Sequence, residues 1–391
     1  MLPTTCPHRL LGRTALNATT QAMPVTRRRP PGRRSRRTPI AETTLTLRRG
    51  AAIRYPSQMD VFALTRKLID IESTTGQEAA VAEVLARELA QLGYDVERMK
   101  VEGDRFNVWA TQPGHPQPDL VFSTHMDTVP PFVPSSEAGD RIYGRGSCDA
   151  KGIMVAQIAA AQKLRGESLH VGLLFVVGEE RDSQGAQTAN QQPRGAKFLI
   201  NGEPTENKLA VASKGTLRVE LVARGRMAHS AYPELGESAI EKLLDALENI
   251  RKLDLPCNPK AGPCTVNIGL IEGGRAPNVI PDHACAHLLF RLVGPAQELR
   301  QQIAAAVAGK AAAEFKLEIP YVELGTVPGI DTMVAAFTTD IPALTNWGKP
   351  LLIGPGSIHV AHTEGEYIEK RQLLEAIDLY ARIARELLSN Q

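Results

Sequence analysis

Four short stretches of this chain put acids and histidines where hydrophobic runs end. They are VFSTHMDTVP with His125 and Asp127, YGRGSCDAKG with Asp149, LLFVVGEERD with Glu179 and Glu180, and FLINGEPTEN with Glu203. Far downstream, GPGSIHVAHTEGEYIE adds His359 and His362. Neutral imidazole and carboxylate are the ligand types of a hydrolytic zinc site, and two such metals clamp both oxygens of a displacement. Groups of this kind converge at the carboxyl ends of strands, where open α/β sheets carry their active sites.

Taken singly, each residue has a plainer reading. His125 alone suits a satisfied structural histidine. Asp149, in a Gly-rich turn just before a helix, suits an N-cap. Glu179 to Asp182 suit a solvated acidic loop, and His229 in RMAHSAYP an ordinary loop histidine. Cys148 reads as a small buried residue and Lys151 as structural. Against this, a carboxylate has two oxygens, so Asp149 can bridge two cations. Adjacent glutamates on an extended chain point different ways, which leaves one for metal and one for proton transfer.

The elements that must position these groups follow from periodicity. Helical spacing of apolar residues runs over Asp60–Ile69, Glu78–Leu92, Ala150–Leu164, Glu237–Leu253, Pro295–Ala313 and Lys370–Leu388. VERMKVEG, FNVWATQ, DLVFSTH, HVGLLFVVGEE and AKFLINGE read as strands, and their alternation with helices predicts a mostly parallel α/β sheet. After Lys214, TLRVELVARG alternates in period two, as a half-exposed antiparallel strand does. Strand, helix, two strands, helix and a last strand (LEIPYVEL) then predict a ferredoxin-like α+β unit. The expected division is a head over 1–58, a larger domain over 59–213 and 326–391, and an inserted domain over 214–325.

Composition narrows the function classes. The 391 residues are 43% hydrophobic, ample for proper cores. The first 58 residues hold twelve Arg against one acid, a net of +11 in a chain of net +2, so the rest carries −9. That acidic body argues against nucleic-acid binding by the folded part. The head, with its run TRRRPPGRRSRR, reads as disordered; a start at Met59, an organellar targeting segment and a nucleic-acid contact are its three readings. Five cysteines without a Cys-x-x-Cys pair point to a reducing cytoplasm. No apolar run is long enough to span a bilayer.

From about Asp60 onward, VFSTHMDTVP, GRGSCDAKG, the Glu179–Glu180 pair, NGEPT and AHTEGEYIE, in that order, resemble the co-catalytic metallopeptidase family of acetylornithine deacetylase and succinyl-diaminopimelate desuccinylase. Aminoacylase and glutamate carboxypeptidase belong to the same family. The resemblance implies two Zn2+ ions, with Co2+ or Mn2+ as alternatives. One would sit on His125, Asp149 and Glu203, the other on Asp149, Glu180 and His362. It makes Asp127 the group that orients His125 and Glu179 the general base. His362 fits the family's histidine, four residues before Glu366, and His359 does not.

By the same resemblance the inserted domain serves dimerisation, and His229 reaches the partner subunit's active site to stabilise the oxyanion. Asn278 in APNVIP and Arg291 in LLFRL would hold a substrate carboxylate, with Thr216 and Gly356 as further candidates. An edge strand such as TLRVELVARG is the expected place of pairing in a homodimer. The implied reaction is hydrolysis of an N-acyl amino acid, with N-acetyl-ornithine preferred because AHTEGEYIE looks closest to that branch. No membrane or nucleic-acid partner is expected. A dipeptidase or glutamate carboxypeptidase is one alternative. A catalytically silent metal-binding homologue is another, against which the intact Glu179 speaks.

Overall fold

The computed structural model describes residues 59–389, so the Arg-rich head and the readings made for it lie outside the described residues. The Asp60 carboxylate accepts from the Phe62 and Ala63 amides at 3.0 Å and so caps α1 (Val61–Ile69). Next come α2 (Ala79–Gln91), β1 (Asp95–Glu102), β2 (Arg105–Thr111), β3 (Leu120–His125), β4 (Ser136–Ala138), β5 (Arg141–Tyr143), α3 (Lys151–Arg165), β6 (Val171–Val176), α4 (Gln184–Asn190) and β7 (Phe198–Asn201). The middle of the chain forms β8 (Leu209–Ser213), β9 (Gly215–Arg224), β10 (Ala228–His229), α5 (Ala239–Arg251), β11 (Cys257–Asn258), β12 (Gly262–Pro263), β13 (Thr265–Gly273), β14 (Val279–Ile280), β15 (His283–Leu292), α6 (Gln297–Val307), β16 (Ala312–Ile319) and β17 (Val322–Glu323). Finally come β18 (Thr332–Ala335), β19 (Lys349–Leu352), β20 (Tyr367–Glu369) and α7 (Lys370–Ser389).

The main sheet runs β1-β2-β6-β3-β7-β19. Its last four strands are parallel, and β1 and β2 join antiparallel at one edge. Every residue of β3 and β6 is buried, as befits strands covered on both faces. Leu120 and Phe122 pack into the core under α1, α2, α3 and α7, while Val121 joins Trp109 and Trp347 on the other face. The chain leaves β3 for β6 on one side and returns as β7 on the other. That reversal opens a crevice at the carboxyl ends of the strands. Gly202, just past β7, lets this end lie close to α3: a Cβ there would sit 2.4 Å from the Ile153 side chain.

The second sheet, β13-β15-β9-β16, is wholly antiparallel. With α5 and α6 on one face it has the β-α-β-β-α-β order of ferredoxin-like units and its own core of residues such as Leu217, Leu221, Leu243 and Phe290. Two expectations need correction. TLRVELVARG is not an edge: β9 is paired on both sides, and β13 and β16 are the edges. The helix expected over Pro295–Ala313 ends at Val307. Gly309, at φ +73°, turns the chain, and Ala312 and Ala313 pair with Val222 and Leu221. Alanine favours a helix, but here the ladder decides.

One buried ion pair links the fold to the crevice. Arg105 donates from Nε and one terminal nitrogen to both Glu78 oxygens at 2.7 Å, with side chains 6% and 0% exposed. Its other terminal nitrogen reaches the Gln184 side chain at 2.8 Å, at the start of α4 and just beyond Glu179 and Glu180. Removing one partner leaves a buried charge without compensation. Glu78→Gln is therefore expected to cost about 3–5 kcal/mol, read as a lower midpoint in urea unfolding. An unchanged midpoint would contradict this role.

Candidate metal centre

Four parallel strands end at the crevice, and each hands over a ligand-bearing loop. His125 is the last residue of β3 and lies level with Val176, the last of β6; the Glu179–Glu180 turn follows. Asn201 ends β7 level with Ser123, and the Gly202 amide donates to the Ser123 carbonyl at 2.7 Å. That register brings Glu203 alongside His125. After β19, the segment through Gly356 leads to His362. Asp149 arrives separately, one residue before the Ala150 cap of α3.

Asp149 lies between two histidines. Its Oδ1 is 3.0 Å from His125 Nε2, and its Oδ2 is 3.3 Å from His362 Nε2. Glu180 Oε1 is 2.9 Å from the same His362 nitrogen. Two groups of ligand atoms therefore cluster within 4.8 Å: His125, Asp149 and Glu203, and Asp149, Glu180 and His362. The donors fit two metal ions. They are imidazole and carboxylate throughout, the shared aspartate offers one oxygen to each group, and Glu203 keeps Oε1 buried with no hydrogen-bond partner.

Charge follows the same pattern. Burial, with nearby acids adding to it, pushes Glu179 and Glu203 well above the usual carboxylate range. Burial opposes charge on the His125 ring, yet Asp127 and Asp149 hold it well above its ordinary value. The Asp149 and Glu180 carboxylates push His362 up to about 10. Burial would raise Asp149, but the two histidines hold it below its ordinary range. A carboxylate excess in so dry a place calls for cations.

Other buried carboxylates hold these loops in place. The Asp127 carboxylate accepts the Glu179 and Glu180 amides at 3.1 Å and the Thr75 hydroxyl at 2.8 Å, while its backbone carbonyl lies 3.0 Å from His125 Nδ1 and Oδ1 3.6 Å from the same nitrogen. Glu179 and Glu180 diverge because they form a turn around Asp127; the chain there is not extended as expected. Glu366 accepts the Cys148 and Asp149 amides at 3.2 Å and pairs with buried Arg145 at 2.6 Å. Arg145 in turn donates to the His362 carbonyl at 3.4 Å. Glu366 thus does more than mark the register of His362, and its place in AHTEGEYIE is the signal for it. Wholly buried Asp340, whose carboxyl burial pushes up to about 7, carried no sequence signal.

The remaining candidates fall into separate places. Thr216 and Arg291 line a cleft of about 560 Å3 together with Asp149, Glu179, Glu203 and His362. Arg291 donates to the Thr216 hydroxyl at 2.9 Å. His229 and Asn278 do not line it. They meet on the β10–β14 ribbon, where the Ser230 amide donates to the Asn278 carbonyl at 3.1 Å, and the exposed His229 accepts the Ala231 amide on Nδ1. Gly356, at φ +89°, packs on Cys148, which a Cβ would meet at 2.5 Å. Its amide donates to the Gln372 side chain at 2.8 Å, so its role here is close packing. His359 is exposed and joins neither ligand group.

Comparison with known proteins agrees with this geometry. Residues 121–386 match the model of Peptidase family M20/M25/M40. A Peptidase M20 domain-containing protein of Schizosaccharomyces pombe is 39% identical over 84% of this chain and 85% of its own length. A protein named "Probable carboxypeptidase" from Paracoccidioides brasiliensis is 36% identical over 85% and 90%. Among solved structures, aminopeptidase PepT from Bacillus cereus superposes with a TM-score of 0.71 at 21% identity, covering 84% of this chain and 98% of that one.

His362 and His359 provide a direct check on the ligand set. His362→Ala is expected to lower bound metal from two ions per chain toward one, whereas His359→Ala leaves two, as counted by elemental analysis. The reverse result would mean that the wrong histidine has been placed in the centre.

Proposed function

This chain belongs to peptidase family M20/M25/M40, and from that premise we propose that it is a di-zinc exopeptidase of the carboxypeptidase or dipeptidase type. It would cleave an amide bond beside a free carboxylate. The observation that carries this reading is Asp149, with one oxygen toward His125 and the other toward His362, in a cleft that also holds Glu179 and Arg291. N-acyl amino acids, including N-acetyl-ornithine, are the second reading, because the same centre acts on either amide. The name of the Paracoccidioides brasiliensis relative favours the first.

Bound cations would supply Lewis acidity and lower the pKa of an attacking water. The chain's own groups do the rest. Arg291, half-buried and without an ion pair among the described residues, anchors the substrate carboxylate. Glu179, whose neighbour Glu180 bonds His362, takes the proton from the water and delivers it to the leaving amine. Asp127 fixes the turn that presents it.

The site is completed, in this reading, by a second copy of the chain. His229 and Asn278 lie together outside the cleft and need a partner to bring them to one. The edge strand β13 offers the contact: it exposes Leu270 and Ile271 at 45% and 53% beside unpaired backbone groups. Residues 214–325 would then be the dimerisation domain, inserted in a catalytic domain formed by 59–213 and 326–391. The cytoplasm is the proposed compartment, supported by the buried, free thiols of Cys148, Cys264 and Cys285. Among the described residues no helix is long and apolar enough to cross a membrane.

Glu179→Gln is expected to keep both metals and lose roughly 10²–10⁴-fold in kcat on dipeptides. Mixing it with an inactive His229→Ala protein should restore turnover, since one site of each mixed dimer has both residues intact. Near wild-type activity in Glu179→Gln with full metal content would refute the base assignment. A fully active monomer that shows no rescue would refute the shared site.

A further inference from the structure

The helix-free face of the four-stranded sheet forms one wall of the cleft. Three guanidinium groups line the cleft: Arg181, Arg218 and Arg291. Arg181 is bonded to its neighbour Asp182 at 3.1 Å. Among the described residues the Arg291 side chain bonds the Thr216 hydroxyl and no acid. Arg218 has no ion pair and no side-chain hydrogen bond among the described residues. The acids close to it along the sheet are already engaged, Glu220 with Lys316 at 3.0 Å and Glu318 with Arg300 at 2.7 Å.

Strand register sets the two free arginines side by side. Arg291 on β15 stands opposite Thr216 on β9, and Arg218 on β9 stands opposite Leu289 on β15. They therefore share a face as diagonal neighbours, about 7–8 Å apart at the backbone. Leu317 on β16 is also opposite Arg218, so Arg218 rises between two leucines that line the same cleft. A single α-carboxylate engages one guanidinium in a bidentate pair. The second guanidinium then faces the cleft without a counter-charge, next to apolar contacts suited to a short methylene stem.

We propose that Arg218 is a specificity-determining residue that selects substrates whose carboxyl-terminal or acylated residue carries a second, side-chain carboxylate, as aspartyl and glutamyl residues do. This rests on the reading of Arg291 given above and narrows it. In the bound state Arg291 holds the α-carboxylate and Arg218 the side-chain carboxylate, with the methylenes against Leu289 and Leu317. Like charge at Arg218 disfavours a cationic side chain such as that of ornithine.

The test compares kcat/KM for matched acid and amide substrates of the metal-loaded full chain: L-alanyl-L-glutamate against L-alanyl-L-glutamine, and N-acetyl-L-glutamate against N-acetyl-L-glutamine. The wild type is expected to prefer the acid by about tenfold or more in whichever series it hydrolyses, the ratio set by one charge-assisted hydrogen bond. Arg218→Gln should bring the ratio to near one, and Arg218→Lys should keep much of it. The ratio cancels any loss common to both substrates, so a variant that is merely damaged moves both alike. A wild-type ratio near one, or a ratio unchanged in Arg218→Gln, overturns the proposal. Faster hydrolysis of N-acetyl-L-ornithine than of either acid also overturns it, while leaving amide hydrolysis at the metal centre standing. Absence of turnover on all of these amides would instead refute the function from which it starts.

Discussion

Asp149, Glu179, Glu180 and Glu203 meet at the carboxyl ends of four parallel strands, and like charges so close together in a half-dry crevice repel one another. Burial raises the cost further, because carboxylates lose their water. The raised pKa values of Glu179 and Glu203 express that tension. Two histidines relieve part of it at Asp149, and divalent cations would relieve the remainder. Much of the surrounding structure holds this set of acids in place.

Those means are buried polar anchors set one layer back. Asp127 gathers two amides and a hydroxyl on its carboxylate and meets the far side of the His125 ring with its backbone carbonyl, so one residue fixes both a ligand and the turn that carries Glu179. Glu366 does the same for the Asp149 loop, and through Arg145 it ties that loop to His362. His362 itself sits at φ +64°, a conformation uncommon for a residue with a side chain. Its loop is over-determined by these bonds, as such positions require.

The metal-site candidates were legible because they sit where apolar runs stop, a pattern visible without any coordinates. His125 and Glu203 mark the ends of β3 and β7, and the turn after β6 carries Glu179 and Glu180. The second sheet was legible in its order of elements, since period-two alternation in β9 and helical spacing in α5 are local signals. Which strand is an edge is not local. The TLRVELVARG segment shows the same alternation whether it is paired on one side or both, and only the ladders to β15 and β16 place it at the centre. The end of α6 was obscured by an alanine-rich stretch that suits a helix but pairs as β16. Arg218 gave no signal in the sequence, because its interest lies in the acids it does not meet.

On this reading Asp149 is the residue that joins two metal sites. Anomalous diffraction from crystals of the zinc-loaded protein, collected on both sides of the zinc absorption edge, tests it most directly. Two peaks are expected to flank the Asp149 carboxylate, one against His125 and Glu203 and the other against Glu180 and His362. A single peak, or a pair with Asp149 bound to only one of them, would contradict it.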